Sequence, residues 1–197
     1  YAQRDADDGC TLAADRLYAA KKISELDVWR KARLSIEANR TRAARNAVEI
    51  VAPEASAAVQ EVADSPAKFL ASKATAMGRT RKELVVLALV KMASSDPDTA
   101  ASILDNKWGV QLTAEERDWV WGAIGRQSAM KLSPSASDYF AKVSKDSHLN
   151  DDTLGWKVRA ALRSGNWKAV KAATSAMSDE GQRDSTWAYW RARALLA

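Results

Sequence analysis

The sequence predicts an all-α chain: a right-handed superhelical stack of antiparallel helix hairpins, an α-solenoid. Three observations carry this. First, Trp121, Trp156 and Trp190 recur 35 and 34 residues apart, and the text after two of them nearly repeats: Trp156-Lys157-Val158-Arg159-Ala160-Ala161-Leu162, then Trp190-Arg191-Ala192-Arg193-Ala194-Leu195-Leu196. A period of about 34 residues is one helix–turn–helix unit of the tetratricopeptide kind. Such a hairpin cannot bury its apolar face alone, so neighbours stack. Second, Ser24-Glu25-Leu26-Asp27, Thr80-Arg81-Lys82-Glu83 and Thr113-Ala114-Glu115-Glu116 read as capping boxes. Third, Ser65-Pro66, Asp96-Pro97 and Ser133-Pro134 place a cap residue before a proline at the first helical position, where its missing N–H costs nothing.

In chain order, the pattern predicts helices over about 11–20, 24–38, 40–51, 54–63 and 66–77, shorter and less regular than those that follow. The second carries Trp29, Ala32 and Ile36 at helical spacing. Gly78 separates two helical runs and is the best candidate hinge. The helix over Leu84–Ala93 is apolar nearly all round, which implies burial between layers. Its Val85-Val86 pair would suit a strand, but length and the cap favour helix. The helix after Thr113 carries Trp119, Val120, Trp121 and Ile124, an arc wide enough to pack on two sides.

From Asn150 the punctuation is clearest. Asn150-Asp151 caps a helix with Leu154, Val158, Ala161 and Leu162 on one face, and Gly165 ends it. Asn166 caps the next, with Trp167, Val170, Thr174 and Met177 on one face and Ala169, Ala172, Ala173 and Ala176 on the other. Ser185 is the expected cap of the last helix, with Trp187, Trp190 and Ala194 in register. Trp156 and Trp190 are expected at equivalent core positions. Trp187, Trp190, Leu195 and Leu196, with only Arg191 and Arg193 as nearby charges, predict an exposed apolar face on the last helix. Short connections imply antiparallel neighbours. The organisation expected is one segment over 1–197, with irregular helices over 1–110 and regular hairpins over 113–197.

Composition narrows function. Hydrophobic residues make up 47% and charged residues 28% of 197, as in an ordinary folded chain. The net charge is +5 and the isoelectric point about 9.3. The basic residues are interleaved with acids, which reads as a solvated surface rather than a nucleic-acid footprint. Cys10 is the single cysteine, so neither an internal disulfide nor a cysteine-rich zinc cluster is available. No apolar run approaches the roughly 20 residues of a spanning helix. Tyr1 opens in mid-pattern without Met and reads as a processing or expression boundary.

The chemistry of a catalytic centre is not legible. There is no glycine-rich phosphate loop, no His-Glu-x-x-His and no nucleophile elbow, so no catalytic, cofactor-binding or metal-binding residue and no cofactor is assigned. Glu115, Glu116 and Asp118 lie in a helix's first turn, where acids complement the dipole. Asp7-Asp8 reads as a loop and Asp151-Asp152 as a helix start. His148, in Lys145-Asp146-Ser147-His148-Leu149-Asn150, reads as an exposed loop residue. The stretch Trp187-Ala188-Tyr189-Trp190-Arg191-Ala192-Arg193 suits stacking on sugars or bases. The spacing of its tryptophans favours core, with Arg191 and Arg193 pairing with acids of the preceding turn.

The segments Leu162-Arg163-Ser164-Gly165-Asn166-Trp167-Lys168-Ala169-Val170 and Trp187-Ala188-Tyr189-Trp190-Arg191-Ala192-Arg193-Ala194-Leu195 resemble the helical region of soluble lytic murein transglycosylases. Asp27-Val28-Trp29-Arg30-Lys31-Ala32-Arg33-Leu34 and Leu112-Thr113-Ala114-Glu115-Glu116-Arg117 are similar to that family's upstream helices. The resemblance covers most of residues 10–197. It implies a periplasmic protein of bacterial cell-wall turnover, with outer-membrane association of the parent left open. It also implies a ring-shaped superhelix carrying a C-terminal lysozyme-like domain. In the family that domain cleaves the MurNAc-β-1,4-GlcNAc bond to a 1,6-anhydro product, with one Glu acting as acid and then base. The family's Glu-Ser pair and its Gly-Leu-Met-Gln stretch occur nowhere here.

The implied role is therefore the superhelical scaffold without the catalytic domain. Its implied partners are peptidoglycan glycan strands and the lysozyme-like domain of the same polypeptide, with no nucleic acid and no transmembrane segment. A free-standing helical-repeat module for protein–protein interaction is the alternative.

Overall fold

A computed structural model of the chain describes residues 8–197, and among these every regular element is helical. The all-α expectation holds. The Asp7 and Tyr1 readings lie outside the described residues, while Asp8 opens the first helix rather than a loop. Contacts divide the chain at Ser95/Asp96.

The first unit, to Ser95, contains α1 (Asp8–Ala19), α2 (Glu25–Glu37), α3 (Thr41–Val51), a short 3-10 turn at Pro53–Ala55, α4 (Ala58–Asp64), α5 (Pro66–Ser72) and α6 (Arg79–Ser95). The Ser24 box forms as read: Ser24 Oγ accepts from Asp27 N at 3.2 Å, and Asp27 Oδ2 accepts from Ser24 N at 2.8 Å. The helices α2 and α3 form a hairpin that buries Val28, Trp29, Ala32 and Ile36 against Ala43, Ala44, Ala47 and Val48. The largely buried α6 packs against α2, α4 and α5, which is why it is apolar all round.

Two expectations are corrected here. The helix over 66–77 stops at Ser72, and α6 begins at Arg79, placing Thr80 inside its first turn. Thr80–Glu83 is therefore no capping box. Gly78, the expected hinge, lies inside the first unit at φ +78, with open space where a side chain would sit. Backbone conformation, not crowding, calls for glycine there.

The second unit contains α7 (Pro97–Ile103), which runs into a π-helical turn at Leu104–Trp108. It continues with α8 (Ala114–Met130), α9 (Ala136–Ala141), a 3-10 turn at Asp146–His148, α10 (Asp151–Arg163), α11 (Trp167–Ser175), α12 (Asp179–Arg183) and α13 (Ser185–Leu196). Asp96 caps α7, accepting from Thr99 N at 3.0 Å. The Thr113 box forms through Glu116, and Asn150 and Asn166 cap α10 and α11. Gly165, at φ +67, ends the α10 segment as read. The helix α8 packs against α7, α9 and α10, which accounts for its wide arc of Trp119, Val120, Trp121 and Ile124.

Other readings fail for local reasons. Ser133-Pro134 opens no helix: Ser133 Oγ accepts from Ser135 N at 3.3 Å, making a turn, and α9 starts at Ala136. Asp184, not Ser185, caps α13, accepting from Thr186 N at 2.8 Å. Its carboxylate, one residue upstream, reaches the free amides that Ser185 occupies from inside the helix. The short α12 was not foreseen; Ser178 caps it and also donates its N–H to Asp151 Oδ1 at 2.8 Å.

The tryptophans sort differently from the expectation. Trp29 and Trp108 are fully buried and Trp119 and Trp121 nearly so, whereas Trp156, Trp187 and Trp190 are half-buried. Trp156 leans on a small cluster of Ala129, Ala136, Phe140 and Ala160. Trp187 and Trp190 lean on the α10–α11 core of Leu154, Val158, Val170 and Ala173. Of the apolar face expected on α13, Leu195 at 61% and Leu196 at 87% are exposed, whereas Trp187 and Trp190 are half-covered by that core. No helix among the described residues is long and apolar enough to cross a membrane.

Candidate functional site

Three polar arrangements stand out, and the sequence named none of them. In the first unit Arg33 of α2 and Glu83 of α6 meet with exposures of 0% and 1%. Arg33 Nε donates to Glu83 Oε2 at 2.9 Å and Nη2 to Oε1 at 2.7 Å, a bidentate fork. The pair ties together helices 50 residues apart in sequence.

In the second unit Asp118, buried in α8, collects the turn before α10. Its Oδ1 accepts from Ser144 N at 2.8 Å; its Oδ2 accepts from Ser144 Oγ at 2.7 Å and Lys145 N at 3.1 Å and sits 2.7 Å from His148 Nδ1. Burial pushes the Asp118 carboxyl up, but the hydrogen bonds from Ser144, His148 and Lys145 outweigh it and hold it below the usual carboxylate range. Asp118 is thus an anchor rather than a partner of the helix dipole. His148 is a half-buried member of the cluster, not an exposed loop residue. Lys157 donates to Asp146 at 2.5 Å and fixes the same turn from α10. An aspartate–imidazole pair also occurs in nucleophilic relays, which need a hydroxyl on the imidazole. Here the Ser144 hydroxyl donates to the carboxylate, so the group holds a loop.

Beside it, Tyr139 stacks on Trp121 at 6.0 Å and donates to Asp98 at 2.6 Å. Burial and the Asp98, Asp96 and Asp105 charges push its phenol up to about 12, so it stays a donor. Lys142 lies 4.4 Å from the Trp121 ring centroid and pairs with Asp105.

The third arrangement is on α10 and α13. The exposed Arg159 guanidinium lies 4.8 Å from the Trp156 ring centroid and 5.0 Å from that of Trp187. Gly155 makes room: a Cβ there would sit 2.7 Å from Trp187 Cζ2 and 3.3 Å from Arg159 Nη1. Gly155→Ala is expected to cost about 1–3 kcal/mol, the usual penalty for overpacking, and to separate α13 from α10. Urea unfolding monitored by tryptophan fluorescence measures it. The neighbouring Arg191 pairs with the Gln182 amide oxygen at 2.8 Å, not with an acid.

Among the described residues no group of three or more His, Cys, Asp or Glu is placed to hold a metal ion. Cys10 lines a cavity of about 130 Å³ with Leu17, Val28, Lys31, Ala47 and Ile50. Its walls are mostly apolar. Burial there holds the Lys31 amine below the usual lysine range, against an opposing effect of Cys10 and with a smaller one from Arg40.

Fold and site together define a protein of packed helical hairpins whose buried polar groups fix helices and loops. No protein-family model matches the sequence, and no curated protein matches it. Among solved structures the chain is similar to the X-ray structure of an inactive mutant of the lytic transglycosylase Slt from Pseudomonas aeruginosa, with 22% identity and a TM-score of 0.59. The likeness covers 97% of this chain and 32% of that one, so the chain spans about a third of its neighbour's length. At that identity the likeness establishes the fold.

Proposed function

We propose that this chain is a superhelical scaffold segment of a peptidoglycan lytic transglycosylase. It would form a right-handed helical stack that shapes the path of the glycan and positions a separate lysozyme-like domain. The observation that carries the reading is a fold likeness to Slt along nearly the whole chain. Two further features fit a scaffold. The Arg33–Glu83 and Asp118 groups both use buried charge to lock elements together, leaving no nucleophile or free acid in either. Cleavage of the MurNAc–GlcNAc bond would then be performed by a glutamate outside residues 1–197. The reading places the protein outside the cytoplasm, in the periplasm.

The sequence encoded after Ala197 tests it. A lysozyme-like domain with a Glu-Ser pair and a nearby Gly-Leu-Met-Gln stretch is expected. An immediate stop codon, or an unrelated domain, would favour the free-standing interaction module instead.

A further inference from the structure

We infer that Arg159, set against the rings of Trp156 and Trp187, is a carboxylate-docking site for the peptidoglycan strand. The inference rests on the scaffold reading above and adds a binding site to it. Arg159 makes no hydrogen bond or ion pair with any described residue, although its guanidinium is flanked by two indole rings at 4.8 and 5.0 Å.

The guanidinium carries its N–H donors in one plane, a fixed fork that a carboxylate meets with two parallel hydrogen bonds. Contact with two indoles restricts the side chain before the ligand arrives, so less freedom is lost on binding. The backbone makes room for this contact: Gly155, one turn before Arg159, admits both the Trp187 ring and Nη1.

Nearby charges do not compete. Asp152, on the same helix, is taken by Arg126 at 2.6 Å, and Asp146 is taken by Lys157. Arg163, one turn further on, is exposed and donates to the Leu132 carbonyl at 3.3 Å, adding positive charge along α10. The half-buried indoles beside the cation offer apolar surface of the sort on which sugar rings rest. A polymer of pyranoses bearing carboxylates matches both elements. In the intact strand the lactyl carboxyl is amide-linked to the stem peptide, so the free carboxylates are those of the stem peptides; lactyl carboxylates are freed where peptides have been removed.

Co-sedimentation of the 197-residue chain with purified sacculi tests the site at low ionic strength. Three polymers are used: intact sacculi, sacculi with their carboxylates amidated, and glycan strands stripped of peptides. Wild type is expected to bind intact sacculi about tenfold more tightly than Arg159→Gln does, the scale of one charge-assisted pair. Amidation should weaken wild type by a similar factor and leave Arg159→Gln nearly unchanged. Arg159→Lys, which keeps charge but loses the planar fork, should recover only part of the difference. Stripped glycan replaces the stem-peptide carboxylates by lactyl ones: loss there restricts the site to stem-peptide carboxylates, and retention shows that it accepts the lactyl carboxylate of peptide-free strands as well. Matching thermal melts of the variants exclude unfolding, and amidation applied to wild type is independent of any variant.

Arg159→Gln binding as tightly as wild type, with equal sensitivity to amidation, overturns the site and leaves the scaffold reading standing. Wild type that binds no intact sacculi also overturns the site. The scaffold reading is judged separately, by the catalytic activity of the complete gene product.

Discussion

Glu83→Ala is expected to destabilise the first unit by about 3–5 kcal/mol, because it leaves the Arg33 guanidinium buried without its carboxylate. Arg33 is fully buried and its two hydrogen bonds to Glu83 are short, at 2.7 and 2.9 Å. The loss is a large share of the roughly 5–15 kcal/mol that holds a domain together. The cost belongs to a buried guanidinium that has lost this carboxylate, not to the pair as such. Replacing both residues, Arg33→Met with Glu83→Leu, should therefore recover most of the loss and sometimes more, since buried pairs exchanged for packed apolar groups are often neutral or stabilising. Urea midpoints of the two single variants and the double variant check this. A double variant no more stable than the single variants would show that the pair contributes net stability of its own.

Asp118→Ala is expected to cost about 1–3 kcal/mol. It removes the acceptor of the Ser144 and Lys145 amides, the Ser144 hydroxyl and His148; Ser144 and Lys145 are exposed, so water takes over part of what is lost. The gentler Asp118→Asn keeps the size and one acceptor but not the charge, and it reports on pH. The folded carboxyl lies below its ordinary value, so its stabilisation is fully present above the unfolded carboxylate value of about 3.9. It is lost as pH falls through the lower folded value. The stability gap between wild type and Asp118→Asn should be widest near neutrality and close in acid. A gap that widens on acidification would mean that the carboxyl is raised, and that burial has won over the four hydrogen bonds.

These two groups mark the limit of what the sequence tells. Helix ends were legible where the cap and its partner lie three residues apart, as at Ser24–Asp27, Thr113–Glu116, Asn150 and Asn166. The same local rule misled at Thr80, because Gly78 at φ +78 precedes an α6 that starts at Arg79, two residues earlier than a Thr80 cap would place it. It misled again at Ser185, where Asp184 supplies the longer reach. Partners 50 residues apart in sequence, such as Arg33 and Glu83, leave no local trace. A charged residue on a helix reads as solvated unless its face is known. A signal was nonetheless present: Glu83 borders the Leu84–Val90 run of a helix apolar all round, so it had no solvent side to occupy. Asp118 precedes Trp121 and Gly122 by one turn, which sets it on the buried face rather than with the dipole.

The recurring tryptophan was legible as a period but not as a depth. Trp121 is buried under neighbours on both sides, while Trp156 and Trp190 sit at the margin of their clusters. Sequence spacing fixes the face of a helix on which a residue lies. How far neighbouring helices cover that face depends on tertiary packing. The Trp156–Arg159–Trp187 cluster shows the same limit, because Trp187 comes from a different helix.

Release of 1,6-anhydro muropeptides from purified sacculi tests the scaffold assignment most directly. The complete gene product is expected to release them, and residues 1–197 alone to release none. Release by the 197-residue chain from a clean preparation, or no release by the complete gene product, would contradict it.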